Sequence, residues 1–170
     1  MSASPSALAR LKKVIAGFEE TVAVTFLAAV TVLLVTQFAT RYLLANPLVW
    51  TEEVSRYAFV WMIFMGSAYL ASKNAHIVVT FISDLVSRSA SKWIVRFAAA
   101  VVIVASVVTA WAGIEFLDQM SGLLSPATGI SMAYIYAAPV VGFALITIHS
   151  LEYLITGSGV VDGGEVEPIV

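Results

Sequence analysis

The chain contains no cysteine. Disulfides, thiolate metal centres and cysteine nucleophiles are therefore excluded. It has two histidines, His76 and His149, too few for a histidine-rich metal cage. Charge is also scarce. Only 12% of the 170 residues are Asp, Glu, Lys or Arg, about half the share in a typical soluble domain. The net charge of −2 gives no basic surface for nucleic acid or any other polyanion. No Ser-His-Asp arrangement, metal-ligand spacing, phosphate-binding glycine loop or dinucleotide fingerprint is present. The reading is a chain that is not an enzyme, with no catalytic residue, no metal ligand and no cofactor.

What the chain has in excess is apolar length. Hydrophobic residues make up 60% of it, and its mean hydropathy is +0.93. Four stretches, about Thr21–Leu44, Thr51–Ser72, Trp93–Glu115 and Met132–Ile155, are each close to membrane-crossing length, for which about 20 predominantly apolar residues suffice. The fold class is an all-α integral membrane protein with four transmembrane helices. Residues 1–20 form an N-terminal segment, with a short surface helix from Arg10 to Glu20. The basic Arg10, Lys12 and Lys13 before an apolar run imitate a signal peptide. The run to Ala39 is longer than a signal core and closes without a small-x-small site. It reads as a retained span.

The segment His76–Ser87 has a different period. At 100° per residue, His76, Thr80, Ser83, Asp84 and Ser87 share one face, and Ile77, Val78, Phe81, Ile82, Leu85 and Val86 the other. It is too short to cross, so it reads as an amphipathic helix lying in the interface. Small residues recur at four-residue spacing in the third span (Ala105, Thr109, Gly113; Ser106, Ala110) and in the fourth (Ala138, Gly142). Such rows let helices approach closely in lipid, although alanine is common enough there to produce one row by chance. Pro139 lies inside the fourth span, Gly122, Pro126 and Gly129 break the loop before it, and residues 156–170 read as a disordered, acidic tail.

Basic residues set the orientation. Arg10, Lys12, Lys13, Lys73, Arg88, Lys92 and Arg96 fall on one side, and Arg41 and Arg56 on the other. The positive-inside rule places both termini in the cytoplasm. Arg41, Glu52, Glu53 and Arg56 then gather at the outer boundary, with Trp50 beside them. Glu52 and Arg56 are four apart and Glu53 and Arg56 three apart, spacings that permit pairing. Charges facing lipid are costly, so this cluster is expected to pair internally or to meet a partner. Ordinary capping, with Thr51 as N-cap and acids in the first turn, accounts for the same pattern.

The pair Arg41-Tyr42, the motif Trp50-Thr51-Glu52-Glu53-Val54-Ser55-Arg56-Tyr57, the aromatic helix with Trp61 and Gly66, and the run Ala75-His76-Ile77-Val78-Val79 occur in that order. Two further spans follow, the last with Pro139 and Gly142. From about Phe18 to Ile155 this resembles the small membrane subunit of the tripartite ATP-independent periplasmic (TRAP) transporters of bacteria and archaea. The resemblance implies a scaffold in the inner membrane, surrounded by lipid. Its partners would be a large membrane subunit that carries substrate and sodium and an extracytoplasmic substrate-binding protein. The substrates would be organic acids. The boundary cluster and His76 would be contact residues.

Three other readings remain at this point. His76 and His149 could ligate haem from two helices. A self-sufficient small carrier would need an acid deep within a span, and here the acids lie at span ends. A membrane assembly factor has the same composition. The orientation is directly testable. A reporter fused after Ile155 should be cytoplasmic and one inserted between Gly122 and Gly129 external; the reverse result overturns the assignment.

Overall fold

The structure is a computed structural model that describes residues 7–85 and 88–156. Among these it is built of four long helices, α1 (Ala7–Phe38), α2 (Val49–Leu85), α3 (Arg88–Met120) and α4 (Ala133–Thr156). A π-helical turn, Ala39–Leu43, extends α1. An isolated antiparallel bridge pairs Leu124 with Ser131 in the α3–α4 loop. Three regions are long and apolar enough to cross a membrane: Val14–Leu43, Arg96–Met120 and Ala133–Ile155. The chain is thus a multi-pass membrane protein. The α2 helix is the expected fourth span, but it falls outside this set. Its apolar stretch is bracketed by Glu52, Glu53 and Arg56 at one end and Lys73 at the other.

Element boundaries differ from the sequence expectation: α3 runs beyond the expected Trp93–Glu115 at both ends, from Arg88 to Met120, and three further differences have a local cause. First, α1 begins at Ala7 and runs through Glu20 without a break. Gly17 does not interrupt it, because a lone glycine costs a helix only about 1 kcal/mol. Second, α2 begins at Val49, so Thr51 lies inside it rather than capping it. The buried Thr51 hydroxyl donates to the Leu48 carbonyl at 2.6 Å. Third, the amphipathic segment is helical but not separate, because α2 continues unbroken to Leu85. Nothing between Ser72 and His76 is a breaker, and a break would orphan the carbonyls of the preceding turn. The side chains of His76–Leu85, together with Val86, Ser87 and the tail from residue 157, lie outside the described residues.

The helices form an open layer, not a closed bundle. The α1 helix packs along α2, α2 along α4, and α4 along α3; α2 and α3 meet only sparingly. Across the layer the order is therefore α1–α2–α4–α3. Phe26 stacks on Trp61, with ring centres 6.1 Å apart, and joins α1 to α2. The Trp61 indole N–H donates to the Tyr134 carbonyl at 3.1 Å, at the start of α4. Phe64 meets Phe143 edge-on at 5.6 Å between α2 and α4. Phe116 meets Tyr136 edge-on at 5.0 Å between α3 and α4.

Two glycines set the closest approaches. A methyl group on Gly142 would lie 2.8 Å from the Phe64 Cβ and 3.2 Å from its carbonyl oxygen, and one on Gly113 would lie 2.6 Å from a Val140 methyl. The small residues of α4 therefore face α2, and Ala138 is completely buried. On α3 the two rows divide. Gly113 faces α4 and Ser106 is buried, whereas Ala105 and Thr109 are exposed and line an apolar groove with Val101, Val104 and Val108.

Hydroxyl groups within the apolar helices are satisfied locally. Thr21, Thr25, Thr31, Thr36, Thr109 and Thr147 each donate to the carbonyl four residues earlier, at 2.7–2.9 Å. Lipid offers no partner to a free hydroxyl, so this back-bonding is what makes threonine tolerable there.

The Gly142 contact can be tested directly. Gly142→Ala should destabilise the detergent-solubilised chain by about 1–3 kcal/mol, because the Phe64 backbone cannot yield as a flexible side chain does. Gly66→Ala, with nothing within 4 Å of the added methyl, should leave the thermal midpoint unchanged or raise it. Equal effects would show that the contact does not hold α4 in place.

Candidate functional site

The boundary cluster is assembled where the α1–α2 turn meets the α3–α4 loop. The π turn leads into a tight reversal. The Leu44 N–H donates to the Ala39 carbonyl at 3.2 Å and the Asn46 N–H to the Thr40 carbonyl at 3.0 Å. Ala45 takes a left-handed conformation, φ 50°, just before Asn46-Pro47. Proline then fixes the entry to α2.

The opposite loop is compact. The Ser125 N–H donates to the Ile130 carbonyl and the Gly129 N–H to the Ser125 carbonyl, both at 2.9 Å. The Ser125 and Thr128 hydroxyls lie 2.7 Å apart. Gly129 has φ 68°, a left-handed conformation that glycine adopts without steric cost.

Glu53 joins the two. It is 9% exposed. Its Oε1 accepts the Tyr57 hydroxyl at 2.6 Å, and its Oε2 accepts the Ala127 backbone N–H at 2.9 Å. Both carboxylate oxygens are thus engaged, and the loop is clipped to the first turns of α2. Charge-assisted bonds of this kind are the stronger class of hydrogen bond.

Glu52, one residue earlier, points elsewhere. It lies 3.5 Å from the Arg56 guanidinium, and both side chains are more than half exposed. Arg41 is exposed in the π turn and forms no ion pair with a described residue. Trp50 is half-exposed and lines a shallow pocket with Pro47, Leu48, Pro126 and Ala127. The structure therefore brings Glu52 to Arg56 and Glu53 to the loop, and leaves Arg41 and Trp50 at the rim. A wider groove of about 520 Å³ runs past Glu52, Arg56, Tyr57, Pro126 and Tyr136. Nothing here aligns a nucleophile with a base, and no group of three His, Asp or Glu that could hold a metal ion occurs among the described residues.

Sequence reasoning missed two links. One is the Glu53–Ala127 clip, which joins residues 74 apart in sequence. The other is at the opposite end of the layer, where His149 Nε2 lies 2.8 Å from Glu19 Oε1. An acid and a histidine near the ends of apolar stretches were the available signal, since ionisable groups in a membrane protein seek each other. The bond also bears on haem, because His149 is already engaged. The side chain of His76, the other proposed ligand, lies outside the described residues.

Comparison with known proteins gives a consistent set. Residues 21–158 match the family model described as "Tripartite ATP-independent periplasmic transporters, DctQ component". Over 77 residues, the chain is 38% identical to the sialic acid TRAP transporter small permease protein SiaQ of Vibrio cholerae, covering 45% of this chain and 44% of that protein. Over 135 residues it is 27% identical to the sialic acid TRAP transporter permease protein SiaT of Haemophilus influenzae, covering 79% of this chain but 22% of that protein. A putative TRAP transporter small permease protein of Haemophilus influenzae is 24% identical over 151 residues, with 87% and 92% covered. The chain thus spans less than half the length of SiaQ and of SiaT.

The two neighbouring acids should separate on mutation. Glu52→Gln or Arg56→Ala removes an exposed pair and should change stability by less than about 1 kcal/mol. Glu53→Gln turns an amide N–H towards either the Tyr57 hydroxyl or the Ala127 N–H. It should lower the thermal midpoint more than either exposed variant and make the loop between Ser121 and Met132 more sensitive to protease. Equal effects at Glu52 and Glu53 would remove the clip from the account.

Proposed function

The chain belongs to the DctQ-component family of TRAP transporters, and from that premise we propose that it is a non-catalytic scaffold for the transporter's large membrane subunit. The observation that carries this reading is the open layer, in which the ionisable groups among the described residues gather toward the ends. Glu52, Glu53 and Arg56 lie at one end, and Glu19 and His149 near the other. A carrier of charged solutes needs groups that replace hydration water at mid-membrane depth, supplied in many transporters by paired broken helices. Pro139 stands alone inside α4, and α4 continues through it.

The proposal includes four crossings, with α2 as the fourth, and both termini in the cytoplasm. The basic residues support this orientation, and the layer order bears on how α2 passes to α3. The α2 and α3 helices end and begin at Leu85 and Arg88, yet α4 lies between them in the layer. Neighbouring helix axes are about 8–10 Å apart, so the far part of α2 or the start of α3 has to travel sideways beneath α4. The two-faced sequence at the end of α2, from His76 to Leu85, suits that sideways path along the interface. The boundary cluster then sits on the outer face. There Arg41, Trp50, Glu52 and Arg56 are available to the large subunit or to an extracytoplasmic binding protein, while Glu53 keeps the loop in shape.

The broad apolar faces of α1 and α3 support a role beside a larger partner. Val32, Val35, Phe97, Val104 and Trp111 are all exposed. The sialic acid transporters among the relatives support a carboxylated sugar or another organic acid as the solute; sodium as the coupling ion is what the family resemblance implies. Reconstituted alone in vesicles, this chain should transport no organic acid. With a large membrane subunit and its binding protein it should support uptake driven by an ion gradient and indifferent to ATP. Gradient-driven uptake by the isolated chain would overturn the scaffold reading in favour of a small carrier.

A further inference from the structure

The α1 helix is an edge helix whose backbone approaches α2 and none of the other long helices. Its Glu19 nevertheless reaches α4, where Oε1 lies 2.8 Å from His149 Nε2. The Glu19 side chain is fully buried and that of His149 is 8% exposed. Side-chain registers show how this bridge fits. Phe26 stacks on Trp61, and α1 runs antiparallel to α2, so Glu19 comes level with Ala68. Phe64 meets Phe143, and α4 runs parallel to α2, so His149 comes level with Leu70. The bridge therefore crosses α2 near Ala68, a small and completely buried residue that leaves room for two long side chains to meet. The second oxygen, Glu19 Oε2, is buried without a hydrogen-bond partner, so the bond to His149 is the carboxylate's tie to its surroundings among the described residues.

In lipid the apolar contacts of an edge helix hold it weakly. Acyl chains can replace valine and leucine neighbours at little cost, because no hydrophobic driving force acts between helices there. A buried carboxylate and imidazole are different, since lipid offers neither a partner. We propose that Glu19 and His149 form an interhelical latch that holds the terminal end of α1 to α4 across α2. With the latch broken, that end of α1 separates from the layer, while the α2–α4 joint stays intact.

The absence of native cysteine makes the test clean. Cysteines placed at the exposed Phe18 and Leu151, carrying spin labels, report the α1–α4 separation in the full chain in lipid nanodiscs. A second label pair at the exposed Ile63 and Val141 reports the α2–α4 joint. The native pair should give one narrow distance. Glu19→Ala or His149→Ala should lose that population to longer distances, with the second pair unmoved. Combining Glu19→His with His149→Glu should restore it. An unchanged first distance in both alanine variants would overturn the latch. Should an alanine variant also disturb the second pair, the exchanged pair decides: restoration supports the latch, and failure to restore overturns it.

Discussion

The joint between α2 and α4 carries the whole layer. On one side of it stands the α1–α2 pair, on the other the α3–α4 pair, and beyond it the halves are joined by sparse α2–α3 contact, the Glu53–Ala127 clip and the Glu19–His149 bond. Gly142 makes the joint possible by letting the α4 backbone come against Phe64. Trp61 then ties the start of α4 through its indole N–H, and the Phe64–Phe143 edge contact fills the space beside the glycine. Close packing and a few directed bonds do here what water exclusion does in a soluble core. Among the described residues the buried apolar side chains are accordingly few, and half of them, Ala58, Ala68 and Ala138, are small.

The helices were legible in the sequence because membrane thickness sets a length that composition reveals directly. Their ends were less so. The expected boundaries at Thr21 and Thr51 followed hydropathy and capping chemistry, whereas the helices begin at Ala7 and Val49. A helix emerging from lipid has no physical reason to stop until a breaker arrives, and Asn46-Pro47 is such a breaker while Lys73-Asn74-Ala75 is not. The layer order was not legible at all. Small-residue rows marked α3 and α4 as helices able to pack closely, but the sequence did not say against which neighbour, nor that Gly113 and Ser106 face inward while Ala105 and Thr109 face out.

The boundary motif shows the same limit at the scale of single side chains. Glu52 and Glu53 look equivalent in sequence, since both can reach Arg56. On a helix they point about 100° apart, and only the position of a loop 74 residues away decides which is buried. Glu53 became the structural carboxylate and Glu52 the exposed one. The end of the layer where the α1–α2 turn meets the α3–α4 loop is thereby divided. Glu53 ties the loop to α2, while the Glu52–Arg56 pair and Arg41 stay exposed at the rim.

The layer order also has a temporal side. The α3 helix is synthesised before α4, yet its principal neighbour is α4. Until α4 has been made and has entered between α2 and α3, the third helix stands in the bilayer without its lateral support, with Gly113 and Ser106 facing acyl chains. The first two helices can associate as soon as both are made, since their contact is local. The second pair and the joint must wait for the helix made last of the four. Biogenesis of this subunit is thus a two-step affair in which the fourth helix acts as a keystone. A ribosome stalled before Ala133 leaves α1 and α2 free to pack on each other and α3 without its principal partner.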